Sequence, residues 1–124
     1  MDDHPDHWIL DENHEPQPAD FLTWSRWCDT HDIWIDVDRI RPVYVHTMFA
    51  GFDPDFTGEG QPLLYETRVY GGGLDEIMDR YPTWNEASRG HFAAVLLVRD
   101  ARRRNQLQDL AGWPDRRTGK PAPK

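Results

Sequence analysis

His46, Glu66 and Arg80 are the residues whose types and spacing suggest joint chemistry. Each lies in a run of alternating apolar character, and pairing those runs as antiparallel neighbours sets the three side by side. An imidazole beside a carboxylate can act as a general base, and a nearby guanidinium can hold an anionic group. They are the candidate catalytic residues. The competing reading is a cross-strand ladder of charges on a solvated sheet face, worth a few tenths to about 1 kcal/mol per pair. It takes precedence, because paired charges are more often structural than catalytic.

A second set sits on the long acidic loop from Ala50 to Pro62, with Phe52, Asp53, Asp55, Phe56 and Glu59 as candidate partner-binding residues. Its start imitates a calcium loop, with oxygen side chains at the first, third and fifth positions and Gly58 at the sixth. Leu64 stands where a bidentate Glu is needed, and strands flank the loop in place of helices, so calcium is not expected. The loop reads as a binding surface for another protein, with two phenylalanines as anchors, or as a flap closing over a sheet edge. Cys28-x-x-His31 is only half of a zinc site, and His4, His7 and His14 lie in a polar terminal segment. No metal and no cofactor are expected. His91 falls on the inner face of a helix, where bonding to backbone or to a neighbouring strand is the expected role.

Three runs must position these residues: Val43 to Phe49, Leu63 to Tyr70, and Glu76 to Tyr81. With Gly71 to Asp75 as a five-residue hairpin loop, Tyr65 faces Tyr81, Glu66 faces Arg80, Thr67 faces Asp79, Arg68 faces Met78 and Val69 faces Ile77. With Phe49 opposite Leu63, Thr47 faces Tyr65 and Val45 faces Thr67. The apolar side then carries Val43, Val45, Phe49, Leu63, Tyr65, Val69, Ile77 and Tyr81, and it is the side to be buried. The other carries Tyr44, His46, Met48, Glu66, Arg68, Met78 and Arg80. Ile33, Ile35 and Val37 alternate as the inner side of a further half-buried strand.

Thr83 and Glu86 form a capping box, and Trp84, Ala87, His91, Ala94, Val95 and Val98 recur at helical spacing behind it. Small residues at 87, 90 and 94 let this helix approach the sheet closely. A shorter helix capped by Asp20 runs to about Thr30, with Phe21, Trp24, Trp27 and Cys28 on one face. The expected architecture is α+β: an antiparallel meander of three or four strands, one long C-terminal helix packed across it, and a short N-terminal helix.

The chain has 124 residues and a formal net charge of −8, enough for one domain. Residues 1–19 read as an acidic disordered tail, residues 20–110 as a single domain and residues 111–124 as a basic disordered tail. Trp8-Ile9-Leu10 is an apolar island in the first tail, expected to dock on the domain, with a short recognition segment as the alternative. The arginines from Arg99 to Arg104 suit a helix C-terminus and need no partner. Nucleic acid is disfavoured, because the chain is acidic and no aromatic platform interleaves the arginines. No run is long enough to span a membrane, and a single cysteine fits a reducing compartment.

The succession Val45 to Asp53, Gly60 to Thr67, Val69 to Gly72, and Arg80 to Trp84 with Glu86-Ala87 and Gly90-His91 resembles small uncharacterised proteins of actinobacterial phages and prophages. It covers roughly residues 43–98 and brings no catalytic residues with it. The resemblance implies a phage accessory protein acting in the host cytoplasm by binding a host or phage protein. The alternatives are a small enzyme or ligand-binding protein using the His46, Glu66 and Arg80 row, and a minor virion component.

Overall fold

The computed structural model describes residues 5–111. Two strands, β1 (His7–Leu10) and β2 (Pro16–Ala19), form an N-terminal hairpin, followed by helix α1 (Phe21–Thr30). Strands β3 (Trp34–Ile40), β4 (Val43–Phe49), β5 (Tyr65–Gly71) and β6 (Leu74–Tyr81) then form an antiparallel meander in sequence order. Helix α2 (Trp84–Arg103) packs across one face of that sheet, and a 3-10 turn, Leu107–Leu110, follows. The α+β meander with its long helix is as the pattern predicts.

The inner faces of β4 and β5 are those expected. Val43, Val45, Thr47 and Phe49 alternate with partly exposed residues, as do Tyr65, Thr67 and Val69. The register differs by two residues, with Phe49 opposite Tyr65 and Val45 opposite Val69, and an even shift leaves every side chain on its face. The hairpin to β6 departs further. Its first pairs, Tyr65–Tyr81, Glu66–Arg80 and Thr67–Asp79, hold, but a bulge then sets Arg68 opposite Ile77. The expected five-residue loop shrinks to Gly72-Gly73 between paired Gly71 and Leu74, with φ of 57° and 88° at the two turn glycines. Positive φ at both central residues is what a tight hairpin with strand-matching twist requires. The bulge also reverses the local pattern: Met78, expected outside, is buried, and Ile77 turns outward.

A second bulge corrects the reading of β3. Trp34 pairs with Met48 but Asp36 with Thr47, so Ile35 is the extra residue. Downstream, every side chain changes face. Val37 points outward at 50% exposure, whereas Asp38 and Ile40 share the inner-face parity of Val45 and Val43.

The N-terminal segment is also corrected, because residues 7–19 are ordered as a hairpin. Asp11 builds the turn, its Oδ1 accepting from the N–H groups of Asn13 (2.8 Å) and Glu15 (2.9 Å). Those bonds hold its carboxyl below the usual carboxylate range. Pro16 and Pro18 suggest disorder, yet being two apart they direct their missing N–H groups to one side of β2, so the ladder runs through Gln17 and Ala19. Trp8 and Leu10 dock as expected and are buried with Phe49, Leu64, Tyr65, Tyr81 and Ala87. Residues 112–124, nearly all of the expected basic tail, lie outside the described residues.

Asp20 caps α1 through Thr23 N–H (2.8 Å), and Thr83 caps α2 through Glu86 N–H (3.1 Å). The α1 helix packs lightly: none of its residues is fully buried, and Phe21 stays exposed. Trp24 Nε1 donates to the Ala50 carbonyl (3.1 Å), and Trp27 meets Phe49 edge-on.

Candidate functional site

With α2 on one face of the meander, the other face is left open. Pairing parity places Trp34, Val37 and Arg39 of β3, Tyr44, His46 and Met48 of β4, Glu66, Arg68 and Tyr70 of β5, and Asp75, Ile77 and Arg80 of β6 on it. Four rings run together across it. Trp34 stacks on His46 (4.9 Å), His46 meets Tyr70 (4.6 Å), and Tyr70 stacks on Tyr44 (5.1 Å), with the Arg39 guanidinium 5.7 Å from the Tyr44 ring.

The three candidate catalytic residues share this face, but they do not form one row. Glu66 is directly opposite Arg80, as the pairing arithmetic requires. His46 faces Arg68, one step along the strand, because the register between β4 and β5 is shifted by two. Arg68 Nη1 bonds Asp75 (2.6 Å), and Nη2 lies 3.7 Å from Glu66 Oε1. Arg80 lies 3.7 Å from Asp55 on the long loop. Burial and the Arg68 charge lower the basicity of His46, and its Nε2 is buried with no hydrogen-bond partner among the described residues. Such an imidazole is a weak base in a ring stack and lacks a directly opposed carboxylate to orient it.

The loop is more ordered than a free flap. Asp53 accepts from Asp55 N–H (3.1 Å) and from Leu63 N–H (2.9 Å), closing the loop on itself. Phe56 turns inward against Trp8 (5.6 Å), while Phe52 remains 42% exposed and Glu59 is exposed. Phe52 also borders a cleft of about 120 Å³ shared with Glu66, Arg68, Ile77 and Arg80, so the loop rims the open sheet face.

Beneath α2 lies a polar chain that the sequence reading did not assemble. The Tyr81 hydroxyl donates to Thr67 Oγ1 (2.9 Å), and Thr67 and Thr47 share a hydrogen bond of 2.5 Å. Thr47 Oγ1 lies 2.7 Å from His91 Nδ1, and His91 Nε2 lies 2.7 Å from Asp38 Oδ2. With the imidazole proton on Nε2, all these bonds run one way, from Tyr81 to the Asp38 carboxylate, and each donor is used once. The order carboxylate, imidazole, hydroxyl is that of an activated nucleophile. Thr47 is nevertheless fully buried, and its hydroxyl is already engaged by Thr67 and His91. The chain instead joins sheet and helix between two apolar clusters, one around Val45 and Val98 and one around Phe49 and Tyr65. The signal for it was His91 on the inner helical stripe; the missing piece was the bulge that turns Asp38 inward.

Among the described residues, Asp36, Asp38 and His91 form a group able to hold a metal ion, with ligand atoms within 4.8 Å of one another. In the one-way hydrogen-bond arrangement, Nε2 carries its proton toward Asp38 and offers no lone pair. Cys28 and His31, the half zinc site, do not assemble. His31 Nδ1 lies 2.9 Å from the Trp27 carbonyl, and burial, with Asp29 nearby, pushes the Cys28 thiol up. No described helix is long and apolar enough to cross a membrane. Comparison of the chain with known protein families, curated proteins and solved structures finds no match.

Proposed function

We propose that the chain is a phage accessory protein of the host cytoplasm that acts by binding a host or phage protein through its open sheet face. The observation that carries this reading is the continuous ring row Trp34–His46–Tyr70–Tyr44 on the sheet face opposite α2. Trp34 is 44% exposed and Tyr70 36%. Rings already stacked lose little freedom on binding, and aromatic anchors supply most of the energy of a protein interface. Arg39, Arg68 and Arg80 alternate with Glu66 and Asp75, a mixed polar surround that suits a protein surface better than a phosphate backbone. Phe52 extends the surface along the rim. The phage context rests on the resemblance over residues 43–98. The rival enzyme reading loses support because His46 is opposed by a guanidinium rather than a carboxylate.

The test begins with capture from an actinobacterial host, identification of the captured protein, and its purification for titration against variants. Trp34→Ser with Tyr70→Ser should abolish binding. Phe92→Ser with Leu96→Ser, which alters the exposed outer stripe of α2, should leave it intact. The opposite order would move the interface to the helix and sink this proposal.

A further inference from the structure

A cavity of about 570 Å³ opens where the turn of the N-terminal hairpin, the end of the long loop and the first turn of α2 meet. Tyr65 lines it, is fully buried, and has a hydroxyl with no hydrogen-bond partner among the described residues. That orphan stands out against its surroundings. Tyr81, the residue paired with Tyr65 across the strands, has its hydroxyl bonded to Thr67, and Thr47 and His91 are bonded too. A buried donor left unpaired costs stability, so a native fold that keeps one calls for a partner from outside the chain or another specific reason.

The surrounding chemistry narrows the ligand. Burial and the nearby Glu15 charge push the Tyr65 hydroxyl well above the usual tyrosine range, so it stays a neutral donor. Its O–H is therefore available to an acceptor atom of a ligand. Glu15 and Glu86 line the cavity with Arg89 as the single formal positive charge among its lining residues, which disfavours an anion. Glu15 calls for a donor close to that acceptor. In the first turn of α2, the N–H groups of the lining residues Trp84 and Asn85 have no intrahelical acceptor, and Thr83 already satisfies Glu86. Trp84 adds an aromatic wall, held by His14 stacked on it at 4.0 Å.

A carbonyl beside an N–H is an uncharged group that meets both demands with two adjacent atoms. We propose that this cavity binds a neutral carboxamide of the peptide type, its carbonyl accepting from Tyr65 Oη–H and its N–H donating to Glu15. The site is distinct from the open sheet face, so either proposal can fail without the other.

The probe is N-acetylglycinamide, titrated into the full chain with the tryptophan indole signals followed in proton–nitrogen correlation spectra, and acetate as the comparison. The expected result is a saturable shift of the Trp84 indole in the millimolar range that suits so small a ligand, and none with acetate. Tyr65→Phe should melt at the same temperature or up to ~6 °C higher without probe, since it removes an unpaired group, and should bind the amide about tenfold more weakly. Glu15→Gln, on an exposed turn, should also weaken amide binding and admit acetate. A Tyr65→Phe variant that melts several degrees lower would show the hydroxyl already paired within the fold and overturn the proposal. Equal binding of acetate and amide, an unchanged response in Tyr65→Phe, or no saturable shift would overturn it as well.

Discussion

Replacing Gly90 by Ala should destabilise this protein, against the ordinary direction of that change in a helix. In a helix interior Gly→Ala commonly stabilises by about 1 kcal/mol through backbone entropy and helix propensity. Here a Cβ at position 90 would lie 2.2 Å from Cε1 and 2.3 Å from Cζ and the hydroxyl oxygen of Tyr81. Carbon atoms rest at about 3.5–4.0 Å, so ring or helix must move by more than about 1 Å. Tyr81 has little room to yield, being 3% exposed with its hydroxyl tied to Thr67. Overpacking of this kind costs about 1–3 kcal/mol, and losing the hydrogen bond about 1 kcal/mol more. Set against the propensity gain, the net loss is about 1–3 kcal/mol. Urea unfolding followed by tryptophan fluorescence measures it directly. In a Tyr81→Ala background the clash is gone, and Gly90→Ala should regain its stabilising sign, giving a strongly non-additive cycle. A single variant as stable as the parent, or an additive cycle, would refute the close helix–sheet contact at this point.

Thr47→Val should cost about 1–3 kcal/mol in the same assay despite its near-identical shape, because it leaves His91 Nδ1 without its donor and the Thr67 O–H without its acceptor in the core. His46 should titrate below the ordinary value of 6.5 when followed by NMR. The unfolded chain then takes up the proton first, so stability falls as pH drops from 6.5 through the folded midpoint, and His46→Gln should flatten that slope. Glu66→Gln should change stability by less than about 1 kcal/mol, since its nearest described cation is 3.7 Å away on a partly exposed face; a larger loss in urea unfolding would mark a site of greater consequence.

Period and capping signals made much of this fold legible. The inner faces of β4 and β5 follow from strict alternation, and an even register error left them untouched. The capping box and the inner stripe of α2 place His91 under the helix. What alternation cannot reveal is where it breaks. One bulge exchanges the roles of Ile77 and Met78, and another turns Val37 out and brings Asp38 to His91. Neither has a local composition signal, because each arises from fitting two strands at one point. The N-terminal hairpin was hidden by its composition: acidic residues and two prolines read as disorder, while the order comes from tertiary contacts, including Trp8 N–H bonded to the Gly51 carbonyl at 2.8 Å. For the candidate site, face membership was legible and adjacency was not. His46 and Glu66 share a face in any even register, but which residue opposes His46 depends on a shift that the sequence leaves open.

The most direct test of the open sheet face as a binding surface is a map of the contact itself. The isotope-labelled chain is titrated with its purified protein partner, and perturbations are followed residue by residue. The largest changes are expected at Trp34, Tyr44, His46 and Tyr70, smaller ones at Phe52 on the rim, and none at Phe92 or Leu96 on the outer side of α2. Perturbations concentrated on α2, with the four rings unmoved, would contradict it.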